Sequence, residues 1–532
     1  MAIAAIDSHS AKGHHAESRD SRGSFCSIMD AMNLFAAAAF LVIGLVYWLA
    51  NRQRPSTPPG PWKLPVVGNL HQLLGKQPHR VITELSKKYG HLMSLRLGSV
   101  QAVVASSSQT AKIFLQTHDA IFSSRPEVAN AKLLTYGFSD IMWAPYSQQW
   151  RELRKLSVLE LFTAKRLESF QGIRRDETLN MIHRLLKLAR EKKVVNFRDA
   201  ATELSWSIIR TMVSNRQEFV NLEEGLKVKS SLDRALQLAG AFNLADYIPF
   251  FRAFDVQGFR QQSQILHEQL DFFFQGLVDS HRRQERPPNA SEDFIDVLLS
   301  IQKQNGVEYV SDDTIKATIQ DIFAAGTDTS SMTLEWALTE LVRHPRSLQK
   351  AQDEISFIVG NDRMVSEADI PKLQFLQAVV KETLRLHPPG PLLQHQSVED
   401  CKVGPYSFPA GTRVIINVYG ISRDPSLWEQ PLEFDPWRFL DKPTASIDMK
   451  GQHFEFIPFG SGRRICPGLA MGVRTVELAL AQSLHCFHWH SPDDRVPDIE
   501  EVCGMTLPKK NPLLLAPSPR LADAVYGEIQ RM

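Results

Sequence analysis

Apolar positions recur with helical spacing downstream of Ser311. Ile315, Ile319, Ile322, Gly326 and Thr329 fall at i, i+4, i+7, i+11 and i+14, one face of a single helix. Ser311 is a good N-cap, and Asp312 and Asp313 stand in the first turn, where the helix dipole favours acids. Pro345 sets the end just past Arg343. The predicted helix has about 32 residues and a length of ~48 Å, enough to cross a whole domain. At its centre, Gly326-Thr327-Asp328-Thr329-Ser330-Ser331 puts six poor helix formers in a row. A break in propensity on a face that should be buried marks a functional position. Strand-like alternation is confined to 92–104 and 412–418, and the rest is mainly helical in period. The pattern predicts a mainly α body with a minor β-sheet and no internal repeats.

The N-terminal region follows a different pattern. Residues 34–50 form a charge-free apolar run, which with 31–33 gives about 20 residues, the length that crosses a hydrocarbon core of about 30 Å. A cleaved signal peptide has a shorter apolar stretch of about 7–15 residues, so the run is read as an uncleaved transmembrane anchor, 31–50. Arg52 and Arg54 follow it directly and place the body on the cytosolic side, with 1–30 as a polar, disordered lumenal extension. Residues 51–69, rich in proline, form a stiff hinge before a catalytic body at 70–532. The sequon at Asn289 then faces the cytosol and carries no glycan.

Composition narrows the class of function. Of 532 residues, 43% are hydrophobic and 22% charged, as in an ordinary globular protein, and the net charge of +1 gives no support to a nucleic-acid-binding reading. The five cysteines, Cys26, Cys401, Cys466, Cys486 and Cys503, show no paired spacing. Neither a disulfide scaffold nor a structural zinc site is indicated, and a reducing compartment is.

One cysteine stands in a distinctive string, Phe459-Gly460-Ser461-Gly462-Arg463-Arg464-Ile465-Cys466-Pro467-Gly468. Its glycines allow the backbone to approach a planar cofactor, and a helix is expected to begin just past Cys466. The dipole of that helix and Arg464 are expected to lower the thiol pKa, and thiolate is what a haem iron needs for O–O cleavage driven by electron donation.

This string resembles the haem-binding signature of the cytochrome P-450 family, Phe-x-x-Gly-x-Arg-x-Cys-x-Gly, at every fixed position, and further family landmarks follow in order along nearly the whole body. The resemblance implies the cytochrome P-450 fold and haem b bound through Cys466, with Phe459 and Gly468 beside it. It implies a structural triad of Glu382, Arg385 and Arg438, although Trp437 stands where the family usually has glutamate. It places Trp150, Arg154, Arg464 and His395 at the haem propionates. Ala325-Gly326-Thr327-Asp328-Thr329 resembles the oxygen-activation motif. There Gly326 leaves a groove for dioxygen, Asp328 feeds protons and Thr329 supplies a hydroxyl. The competing reading of Thr329 is a hydroxyl bonded back to its own helix.

The implied activity is an NADPH-dependent monooxygenase that uses O2 and takes electrons from a separate flavoprotein reductase on the same membrane. The helix carrying Arg151, Arg154 and Lys155 is the candidate docking face for an acidic reductase surface. Localisation is expected at the endoplasmic reticulum membrane, single-pass, in contact with lipid. Pro391-Leu392-Leu393-Gln394-His395 and Leu484-His485-Cys486-Phe487 resemble the plant ferulate/coniferaldehyde 5-hydroxylases of lignin biosynthesis. Those enzymes usually carry Gly-Gly-Thr-Glu-Thr, whereas the Ala-Gly-Thr-Asp-Thr form is shared with flavonoid 3′-hydroxylases. The expected reaction is ring hydroxylation of a phenylpropanoid such as coniferaldehyde, coniferyl alcohol or ferulate. Flavonoid 3′-hydroxylation, terpenoid oxidation and a haem sensor or carrier without turnover are the alternatives. Expected pocket residues are Phe138, Ile141, Phe323, Ala324, Leu392, Leu393, Met505 and Thr506.

Overall fold

In the computed structural model, Ser311 accepts a hydrogen bond from the Thr314 amide at 3.1 Å and opens a helix that runs Asp312–Arg343. This spine helix stops at His344, directly before Pro345, as the pattern predicts. Most of its side chains are buried on all sides, which explains why its amphipathic signal is spread wide.

The structure describes residues 57–214, 222–283, 292–307, 309–440, 443–493, 495–502 and 504–529. The expected lumenal extension, 1–30, the anchor, 31–50, and the start of the hinge lie outside them. Among the described residues no helix is long and apolar enough to cross a membrane. The chain divides into a large unit, 58–402 and 408–532, and a second unit of which Thr57 and Val403–Ser407 are described. All that follows concerns the large unit.

The spine packs most closely on the helix Phe197–Val213. Gly326 allows this close approach: a Cβ at that position would stand 2.5 Å from Cδ1 of Ile209, which would have to turn aside. The close approach seats Trp206 of the second helix against Phe323 of the spine, with ring centroids 4.9 Å apart. The helices Gln374–Leu386 and Leu469–Cys486 pack on other sides of the spine, so it threads the apolar core.

A four-stranded sheet lies beside this helical core. Strands β1 (Leu92–Leu97) and β2 (Val100–Ala105) form an antiparallel hairpin that covers the stretch predicted as extended, 92–104, and runs one residue beyond it. Strand β3 (Leu392–Gln396) pairs antiparallel with β4 (Arg413–Asn417), which lies parallel to β2. The register sets Leu393 opposite Ile416 and His395 opposite Val414. A smaller sheet orders Val195–Asn196, Leu514–Pro519 and Phe487–His490. The proline-rich segment is docked from Pro59 onward: the Ser94 amide donates to Pro59 O at 2.7 Å, and Gly68 bridges to Leu97.

The Glu382–Arg385 pair lies in the core with no exposure of either side chain. Arg385 donates to both carboxylate oxygens of Glu382 at 2.8 Å, and Arg438 donates to Glu382 Oε1 at 2.9 Å. The remaining guanidinium donors take carbonyls of Ser422, Pro431 and Glu429. Thus the triad ties the meander of 422–438 to the helix, one carboxylate and a set of backbone carbonyls together satisfying both guanidinium groups. Trp437 packs on Phe375, 4.8 Å between centroids, and lies under Arg346.

Candidate active site

A cavity of about 380 Å³ opens between the spine helix, strand β3 and the loop that carries Cys466. Cys466 lies just before the helix Leu469–Cys486, whose N-cap is Gly468. The Cys466 amide donates to Phe459 O at 2.9 Å, folding the string back on itself. Gly462, at φ +68°, is obligatory in this turn, because a Cβ would meet Leu115 O at 2.3 Å.

The expectation of a thiol made acidic by Arg464 is corrected by the geometry. Burial raises the Cys466 pKa, and the amides of Gly468 and Leu469 and the charge of Arg154 only partly oppose it. Arg154 is the nearby cation; its guanidinium donates to Ile465 O. Arg464 instead turns toward the facing loop, where it donates to Ser123 O at 2.7 Å, Ile141 O at 3.2 Å and Ala144 O at 2.5 Å. Thiolate at this position therefore needs a further cation at the sulfur, which a bound iron supplies.

Three arginines line the same cavity: Arg125, Arg154 and Arg464. Desolvation lowers Arg125 to about 10 and Arg464 to about 9, and each repels the other. Such clustered buried cations lack matching anions among their neighbours, apart from Asp140. A planar group with a thiolate-binding metal and two carboxylates answers both needs. The donor set therefore fits the haem that the motif implies. His395 is buried on β3 and donates from Nδ1 to Phe122 O at 2.9 Å, which leaves Nε2 as an acceptor. Burial and the charges of Arg125 and Arg464 hold it down to about 3, so it is neutral.

On the spine, Ile322, Ala325, Gly326, Thr329 and Ser330 face the cavity. The Thr329 hydroxyl donates back to Ala325 O at 2.7 Å. It can accept from the cavity in this state, but donating would require that bond to break. Asp328 points elsewhere: its carboxyl meets the Thr506 hydroxyl and the field of Asp233, Lys229 and Arg198. Burial, reinforced by Asp233, raises its pKa, and its Oδ2 has no hydrogen-bond partner. Thr506 also lines the cavity, so it connects the acid with the chamber.

Of the expected pocket residues, Ile141, Leu392, Leu393, Met505 and Thr506 line the cavity, as do Phe459, Gly468, Arg154, Arg464 and His395. Trp150 lies behind Arg464 with its ring 4.0 Å from the guanidinium. Three are placed away from it. Phe323 and Ala324 do not line it, and Phe323 packs against Trp206 and Phe274. Phe138, at φ +71°, packs on the core. A helical step of 100° carries 323 and 324 off a face defined by 322, 325 and 329. The sequence reading did not select Arg125, Asp140 or Asp321. Each is an isolated polar residue in an unremarkable context; the only signal was an aspartate at the Ile322 end of the cavity-facing stripe.

The cytochrome P450 family model matches residues 58–516. The chain is 39% identical to a cytochrome P450 of Panax ginseng over 499 residues, 91% of this chain and 98% of that protein. It is 39% identical to a flavonoid 3′-monooxygenase of Crocosmia x crocosmiiflora, covering 91% of this chain and 97% of the relative. A flavonoid 3′-monooxygenase of Arabidopsis thaliana is 38% identical, with 93% and 98% covered. Among solved structures, a zebra fish cytochrome P450 with progesterone superposes with a TM-score of 0.71 at 27% identity, over 84% of this chain and all of that one.

Proposed function

This chain belongs to the cytochrome P450 family, and on that premise we propose that it hydroxylates the aromatic ring of a plant phenolic, of flavonoid type before monolignol type. The family supplies the frame: a monooxygenase with haem, O2 and electrons from NADPH through a reductase. When bound, haem supplies the redox chemistry that delivers one oxygen atom to the substrate and one to water.

The carrying observation is that Cys466, Thr329 and an apolar chamber share one enclosure. Cys466 would hold the iron, and Arg125, Arg154 and Arg464 would bind the propionates. Asp328, kept easily protonated by burial, would hold a proton beside the Thr506 hydroxyl. Ile208, Ile209, Ile322, Leu392 and Leu393 exclude water and favour a flat apolar ring, while Ser205 and Thr506 offer partners to its hydroxyls. The flavonoid 3′-monooxygenases among the relatives support flavonoid chemistry over the coniferaldehyde expected from short strings.

Residues 31–50 anchor the body to the endoplasmic reticulum, with 1–30 lumenal and the catalytic body cytosolic. The exposed Arg151 and Lys155 on Gln148–Ser157 receive the reductase. The test is turnover by the full-length chain with reductase in microsomes, offered naringenin, coniferaldehyde, ferulate and a terpene panel. A product of naringenin with one added ring hydroxyl is expected. Oxidation of terpenes alone would overturn the phenolic assignment, and no NADPH consumption with any probe would favour a sensor or carrier.

A further inference from the structure

A second set of titratable groups stands at the cavity edge, apart from Cys466 and Asp328. Asp321, two turns before Thr329 on the spine, lines the cavity and accepts from the amides of Ile141 at 2.8 Å and Met142 at 3.0 Å. Asp140 is fully buried and accepts from the amides of Trp143, at 3.1 Å, and Ala144. Its carboxyl faces that of Asp321. The two acids thus take the N–H groups of the turn 141–144. Its carbonyls are taken by cations and an indole: Trp150 and Arg464 on Ile141, Arg125 on Met142, Arg464 on Ala144. Ile141, Met142 and Trp143 are themselves cavity wall.

Two carboxyls in contact away from water cannot both be ionised, because desolvation and mutual repulsion act together. Asp140 Oδ1 has no hydrogen-bond partner of its own, which leaves it free to hold or accept a proton. We propose that Asp140 and Asp321 share one proton and so form a buckle that positions the cavity wall 141–143 against the spine helix, and that losing this proton loosens the wall. This goes beyond the phenolic assignment, which it does not need.

The other charged groups around the pair work against it. Arg464, from the Cys466 loop, and Arg125 both attract a negative Asp140, and Arg154 is repelled by them in turn. His395 is neutral and contributes no charge. Even so, burial pushes Asp140 up to about 7 and, with the charge of Asp140, pushes Asp321 well above the usual carboxylate range. A folded-state pKa raised in this way means that docking of the wall is strongest at low pH. It is lost as pH rises through the pair's own titration, from about 7 upward.

Amide hydrogen exchange on the full-length, haem-loaded protein without substrate tests this. Corrected for intrinsic exchange, protection of the Ile141 and Met142 amides should fall on the order of tenfold between about pH 6 and about pH 9. Asp140→Asn and Asp321→Asn keep a hydrogen bond without a titrating proton, so their protection should stay flat. Asp321→Ala should lose it at every pH. Flat protection in the unchanged protein, or Asn variants that follow its pH dependence, would overturn the proposal.

Discussion

Trp150 and Arg464 converge on a single carbonyl: the indole Nε1 donates to Ile141 O at 2.9 Å, and Arg464 Nη1 donates to it at 3.2 Å. The guanidinium also lies 4.0 Å from the indole ring centroid. The tryptophan therefore fixes the plane in which the arginine meets the cavity. Trp150→Phe removes one donor and weakens the stacking, about 1–2 kcal/mol together. The expected result is haem loss on the order of tenfold faster, read as transfer to an apo-globin acceptor. An unchanged transfer rate would separate Trp150 from haem retention.

Cys466→Ala should fold and yet lack the haem-thiolate absorption bands. The loop is held by backbone, from the Cys466 amide to Phe459 O and by the turn at Gly462, and needs no sulfur. Absorption and carbon monoxide difference spectra give the answer, with circular dichroism confirming the fold.

Asp328 and Thr329 are adjacent yet point to different partners, Thr506 and Ala325 O. Asp328→Asn removes the proton-holding group and should slow product formation by on the order of 10². Thr329→Ala should keep haem and NADPH consumption while product per NADPH falls. Thr506→Val should lower the same ratio if its hydroxyl links Asp328 with the chamber. Oxygen, NADPH and product measured together distinguish slowing from uncoupling, and equal coupling in the Thr329 variant would remove it from the relay.

Glu382→Ala leaves Arg385 and Arg438 as uncompensated charges in a core without exposure. A cost of about 3–5 kcal/mol is expected, read as a lower unfolding temperature and poor haem incorporation. A variant as stable as the parent would show that the carbonyl partners alone satisfy both arginines.

Glu501 joins the C-terminal region to the helix Pro78–Tyr89 through Arg80, whose Nε donates at 2.9 Å. Although burial raises its pKa, the nearby His79 Nε2, 3.6 Å away, and the hydrogen bonds and charge of Arg80 overcome this and hold it at about 2. A depressed folded-state pKa means the contribution is present above the unfolded value and is lost as pH falls from there toward about 2. Stability on the order of 2 kcal/mol should disappear over that window in the parent and be absent throughout in Glu501→Gln. Chemical unfolding at a series of acidic pH values measures it.

Local chemistry was readable from the chain alone wherever one short segment holds its own reason. Ser311, Asp312 and Pro345 bound the spine helix by capping and by proline sterics, which act within a turn, and the helix runs where they place it. The Cys466 string and the Glu382–Arg385 spacing likewise carry their chemistry within ten residues or fewer. Assignments of direction were not local. The lowering of the Cys466 thiol expected from Arg464 did not arise, because three carbonyls of a distant loop claim that guanidinium and burial outweighs Arg154. Phe323 and Ala324 were placed on the pocket by position, but a helix turns each successive side chain by 100°. Asp140 and Asp321 are 181 residues apart in number and look like ordinary polar residues. Only the packing of the loop onto the spine brings their carboxyls together, and only exclusion of water there makes one proton stay between them.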